Sequence, residues 1–119
     1  KMTTDLFSAV ADPTRRRILE LLAGRGQMSA TEISDHFPVS AQAVSQHLKV
    51  LLQANLVSVE RRAQQRLYRL NPDAIAELEQ WTAGLRERWS RRLDRLDLAL
   101  KAARHESISQ NDGEGESEA

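Results

Sequence analysis

Cysteine is absent from this 119-residue chain. Its absence removes disulfides, thiolate metal sites and cysteine nucleophiles together, and leaves no mark of an oxidising compartment. Aromatic residues are scarce at 4%, so a core must be built from Leu, Ile, Val and Ala. No apolar run approaches the roughly 18 residues needed to span a bilayer. The opening KMTTDLFSAVADP is not a signal peptide, because Asp5 and Asp12 interrupt its short apolar stretch. These absences predict a cytoplasmic chain with no membrane contact. The length suits one domain with a modest core, and apolar residues at 40% are enough to fill it.

Charge is neither lacking nor evenly spread. The formal net charge is +0, yet residues 1–105 hold all 17 Lys and Arg against 12 Asp and Glu, net +5. The remaining five acids lie in ESISQNDGEGESEA, residues 106–119. That polar, acidic tail is predicted to be disordered, leaving 3–105 as the domain. Between residues 37 and 70 Lys49, Arg61, Arg62, Arg66 and Arg69 face Glu60 alone. The basic charge is local.

The periodicity predicts helix, helix, helix, helix, hairpin and long helix. Leu6, Phe7 and Val10 suggest a short first helix begun by Thr3 or Thr4. Asp12-Pro13 is a cap followed by proline at the first helical position, and Gly24 and Gly26 close the helix PTRRRILELLA. Ser29 and Glu32 form a capping-box pattern for SATEISDHF, which Pro38 stops. Ser40 caps the next helix, 41–54. The alternation then becomes that of strands in LVSVERR and RLYRL around a short AQQ loop, a hairpin over 58–69. Asn71-Pro72 starts a last segment with an apolar stripe at Leu78, Trp81, Leu85, Trp89, Leu93, Leu96 and Leu100. Gly84 leaves open whether this segment is one helix or two. The fold class expected is mainly α (α+β): a winged helix-turn-helix with a β-hairpin wing and added N- and C-terminal helices.

The stretch VSAQAVSQHLKVLLQANLV carries the chemistry. Val44, Leu48 and Leu51 share one helix face, and Gln42, Gln46, Lys49 and Gln53 share the opposite one, which has no carboxylate. A side-chain amide can pair bidentately with the N6/N7 edge of adenine, whereas a glutamate there would be repelled by phosphate. Lys49 suits a phosphate, and Ser40 and Ser45 suit phosphates or base edges. The hairpin tip adds Arg61, Arg62 and Arg66. Together these features predict that the partner is double-stranded DNA. A winged helix used for protein binding is the alternative from another class; it would place apolar side chains or carboxylates on that outward face.

The runs FSAVADPTRRRILELL, SQHLKVLLQANLV and RLYRLNP, with the Trp-containing last helix, resemble the ArsR (SmtB-like) repressors over roughly residues 6–100. The resemblance implies a homodimeric transcriptional repressor, often of its own operon, acting on a near-palindromic operator. It implies DNA contacts from Ser40, Gln42, Ala43, Ser45, Gln46, His47 and Lys49, and from Arg61, Arg62, Gln64, Gln65 and Arg66 in the wing. It implies a dimer interface from the first and last helices: Leu6, Phe7, Val10, Leu78, Trp81, Leu85, Trp89, Leu93, Leu96 and Leu100. The chain departs from the metal-sensing members. Its third helix reads ATEISDHF without a thiol, and the last helix lacks their His and carboxylate pattern. It looks like the thiol-free subgroup, whose inducer cannot be inferred.

Other constellations carry less. His36, His47 and His105 are not at ligand spacing, so no metal site and no cofactor are expected; a repressor responding to metal through an atypical His/carboxylate site is the remaining alternative. Ser34-Asp35-His36 has the letters of a hydrolase triad, but consecutive helical residues point about 100° apart and cannot form a relay, so the chain is not expected to be an enzyme. TRRR at residues 14–17 sits where the helix dipole disfavours cations. It reads as a solvated face with partners such as Asp12 or Glu20, or as a flanking phosphate contact.

Overall fold

In the computed structural model residues 5–118 are described, with side chains over 5–107. The elements are α1 (Leu6–Ala9), α2 (Pro13–Arg25), β1 (Gln27–Ser29), α3 (Ala30–Ser34), α4 (Ala41–Gln53), β2 (Val57–Arg62), β3 (Gln65–Leu70) and α5 (Pro72–Glu118). The chain forms two compact units, 1–78 and 79–119.

The first unit is a winged helix-turn-helix, as expected. Ile18 and Leu22 of α2, Ile33 of α3, and Val44, Leu48 and Leu51 of α4 are fully buried together with Leu56. Helix starts follow local chemistry. The Asp12 carboxylate accepts from the Arg15 N–H at 2.9 Å, and that bond, the largest influence on it, holds its pKa below the ordinary value. Ser29 and Glu32 close their capping box through reciprocal bonds of 3.1 and 2.8 Å. Ser40 Oγ accepts from the Ala43 N–H at 3.0 Å.

Helix ends differ in detail from expectation. Gly24 lies inside α2 and does not stop it; only Gly26, at φ 90°, leaves helical space. A glycine within a helix costs about 1 kcal/mol but does not turn the chain. The third helix ends at Ser34, not Phe37, because the bonds from His36 N–H to Ile33 O and from Phe37 N–H to Ser34 O tighten its exit ahead of Pro38. Helix α4 ends in a Schellman motif: Leu56 N–H donates to Leu51 O and Asn55 N–H to Leu52 O, with Asn55 at φ 61°. Leu51 and Leu56, the positions whose apolar side chains that motif typically pairs, are both fully buried.

The sheet is antiparallel in the order β1-β3-β2. Strand β1 was not legible in the sequence: it is three residues long, and its only apolar side chain, Met28, is buried opposite Tyr68. The hairpin register pairs Val57 with Leu70, Val59 with Tyr68, Arg61 with Arg66, and Arg62 with Gln65. The turn is therefore Ala63-Gln64, with Gln65 in the strand and not in the loop. Ala63 takes the left-handed conformation at φ 55°.

The second unit is helical. Helix α5 is one element that runs through Gly84. Its backbone continues over residues 106–118, where the sequence predicts disorder; extending an existing helix is far easier than nucleating one. Side chains beyond residue 107 lie outside the described residues, as do Thr3 and Thr4. Among the described residues no helix is long and apolar enough to cross a membrane.

Candidate nucleic-acid interface

The hydrophobic spacing of α4 decides what it can show. With Val44, Leu48 and Leu51 committed to the core, Gln42, Ser45, Gln46, Lys49 and Gln53 are exposed, while Ala43 and His47 are half-buried on the flanks. Ser40 is exposed too, though its hydroxyl is occupied by the helix cap. No carboxylate interrupts this face.

The wing and α4 meet. Ser45, Gln46, Lys49 and Leu52 of the helix and Arg66 and Tyr68 of β3 line one open cleft of about 300 Å³. Its floor is the apolar Leu52 and the buried Tyr68, and its rim carries two cations and a side-chain amide. Farther out, Arg61, Ala63, Gln64 and Arg66 border a second recess at the hairpin tip.

Arg61 and Arg66 are directly opposed across the strands. Like charges in that position destabilise a hairpin unless an anion neutralises them. Among the described residues neither has a carboxylate partner within an ion-pair distance. Arg62 differs: its Nη2 donates to Glu60 Oε2 at 3.2 Å, so part of its charge is already answered within the wing. The register brings Gln65 to the face of Arg62, away from Arg61 and Arg66.

Not every expected site residue faces outward. His47 turns towards α2: its Nδ1 is 3.4 Å from Arg15 Nη1 and 3.9 Å from Asp12 Oδ2. Leu6 and Ala9 are the buried residues of α1, so Leu6 packs into its own chain's core and is not available to an interface. Phe7 is 38% exposed and Val10 half-buried. Leu78 packs against the core of the first unit. In the second unit Trp81, Leu85, Trp89, Leu93, Leu96 and Leu100 all stand exposed, Trp89 at 58%.

The histidines do not converge. His36 pairs through Nδ1 with Glu32 O at 2.9 Å and through Nε2 with Arg25 at 3.5 Å, away from His47. Among the described residues no group of three or more His, Asp or Glu is placed to hold a metal ion. Leu52 and Tyr68, the cleft floor, were not legible in the sequence, because only the packing of α4 beside β3 brings them to one cleft.

Known proteins share the sequence pattern and the fold. Residues 10–60 match a helix-turn-helix domain family. The transcriptional repressor SdpR of Bacillus subtilis is 42% identical over 77 residues, covering 65% of this chain and 84% of that protein. An ArsR-like transcriptional regulator from Rhodococcus sp. RHA1 superposes with a TM-score of 0.67 at 31% identity, over 76% of this chain and 85% of its own. The homodimeric winged helix-turn-helix DNA-binding domain of a possible ArsR-family regulator from Mycobacterium bovis gives 0.56 at 27% identity, over 66% and 75%.

Proposed function

The chain belongs to the ArsR family of winged helix-turn-helix transcriptional repressors, and from that premise we propose that it reads a near-palindromic operator as a homodimer. Gln42, Ser45 and Gln46 reach base edges in the major groove, Lys49 and Arg66 take the phosphates beside them, and Arg61 extends the contact along the wing. One observation carries this reading: the carboxylate-free face of α4 and Arg66 of the wing line a common cleft, and Arg61 stands opposite Arg66 across the strands. Anionic backbone is the partner that answers the opposed Arg61 and Arg66, and amides beside it suit base recognition.

The dimer is built on the exposed stripe of α5. A contiguous apolar patch with two tryptophans marks an interaction surface, and the homodimeric state of the Mycobacterium bovis domain supports a second copy as its cover. Twofold symmetry then calls for half-sites about one DNA turn apart. Repression of its own operon follows the same reading.

A salt titration of binding to random and genomic duplexes tests it. Affinity should fall steeply with salt, and Arg61→Gln with Arg66→Gln should weaken binding to every sequence. The double variant should flatten the salt slope by about two, one for each phosphate no longer neutralised. A parent protein whose binding ignores salt would end this reading.

A further inference from the structure

Residues 14–17, TRRR, begin α2, where the helix dipole disfavours positive charge. Two of these arginines fold back over the end of α1 and the turn that follows it. Arg15 Nε donates to Ala9 O at 2.8 Å and Nη2 to Ser8 O at 3.2 Å. Arg16 Nη1 donates to Val10 O at 2.8 Å and to Ala11 O at 3.1 Å. These carbonyls close a helix C-terminus, where cations are favoured.

Arg15 reaches one element farther. Its Nη1 lies 3.4 Å from Nδ1 of His47, in the middle of α4, and its own N–H holds the Asp12 carboxylate that flanks the same imidazole. A guanidinium only donates, so in this contact Nδ1 of His47 is the accepting atom. One rigid fork thus joins the end of α1 to the helix that carries Gln42 and Gln46. Lysine could not span these acceptors.

Resting on the DNA-reading role of α4, we propose that Arg15 is a positioning residue: acting through His47, it sets α4 against α1 without touching DNA. Base readout needs side chains held to a fraction of an ångström, whereas phosphate contacts tolerate more slack. Loosening this link therefore lowers discrimination before it lowers general affinity. Because α1 also carries Phe7, a residue of the proposed dimer interface, the fork passes the seating of α1 on to the recognition helix.

The test uses the full chain, a duplex recovered by genomic footprinting with the parent protein, and a random duplex. The variants are Arg15→Gln, Arg15→Lys, His47→Gln, the Arg15→Gln/His47→Gln double, and Arg16→Gln as the variant that frees only the Val10 and Ala11 carbonyls after α1. Arg15→Gln and Arg15→Lys should each weaken the footprinted site about tenfold, with random DNA changed no more than about twofold and the salt slope kept. His47→Gln should match them, and the double should be no worse than either single, since both break one link. Arg16→Gln should lower the melting temperature with the site preference retained. Should Arg15→Gln fail to fold, Arg15→Lys and His47→Gln carry the comparison.

A slope made shallower by about one in Arg15→Gln and restored by lysine would make Arg15 a phosphate contact and overturn the proposal. A lowered melting temperature with unchanged preference would reduce Arg15 to a structural staple, and additive losses in the double would separate it from His47; either also overturns it. A parent that binds no duplex fails the DNA-reading assignment itself. A parent that binds, with Arg15 variants indistinguishable from it, fails the link alone.

Discussion

At the scale of single residues the proposed base readout rests on the two glutamines of α4. Gln42 and Gln46 are one helical turn apart, exposed, and free of carboxylate neighbours on their face. Gln42→Ala or Gln46→Ala should cost about 1–3 kcal/mol at the operator and little on random duplex. Equal losses on the two DNAs, measured by competition, would mean that neither amide reads a base. Two other residues hold backbone angles that L side chains rarely adopt. Asn55 at φ 61° tolerates this conformation well; Ala63 at φ 55° does not. Replacing Asn55 by Val should destabilise the fold by about 1–2 kcal/mol. Ala63→Gly should stabilise the hairpin by up to about 1 kcal/mol. Thermal denaturation reads both, and a stable Asn55→Val variant would argue against the Schellman closure of α4.

At the scale of elements, caps decide where helices begin, and α2 is the informative case. Its cap Asp12 accepts the Arg15 N–H, and its pKa is lowered for that reason first, with His47 and Arg15 charges adding to it. A carboxyl with a depressed folded pKa stabilises above its unfolded value and loses that contribution as pH falls through the folded one. Asp12→Ala should therefore cost about 0.5–2 kcal/mol near neutrality. The gap between parent and variant should close in denaturant titrations carried below the carboxyl's ordinary 3.8. A gap that persists in acid would place the effect elsewhere. The hairpin shows the opposite design: opposing Arg61 to Arg66 costs stability in the free wing, a cost that the proposed phosphate contact would offset.

At the scale of the whole molecule the open question is what covers α5. Trp81, Leu85, Trp89, Leu93, Leu96 and Leu100 are each at least two-fifths exposed in the single chain. Burying one such side chain is worth about 1.5–3 kcal/mol, and a self-complementary stripe repeats each contact twice across a twofold axis. Trp89→Glu with Leu93→Glu should give a monomer by sedimentation, with the winged unit still folded by circular dichroism and operator affinity largely lost. A folded monomer that binds the full operator as tightly as the parent would remove the dimer from the reading.

Much of this architecture was legible from local rules, because caps, proline starts and apolar periods act over three or four residues. Asp12-Pro13, Ser29 with Glu32, Ser40, and Asn71-Pro72 each start the helix they announce, and the spacing of Val44, Leu48 and Leu51 already turns the glutamines outward. Conformations that depend on distant partners were not legible. Met28 becomes a strand only because Tyr68 lies opposite it, and Gly26 rather than Gly24 ends α2 because the chain must turn there into β1. Leu6 reads as an interface residue until the core that takes it is assembled. His47 reads as a DNA contact, yet tertiary packing aims it at Arg15 and Asp12, 32 and 35 positions earlier in the chain. Sequence determined which faces exist, since a face needs only helical or strand geometry. Which faces meet, and so which side chains remain to touch DNA, was decided by long-range packing, because burial of one face is what leaves another exposed.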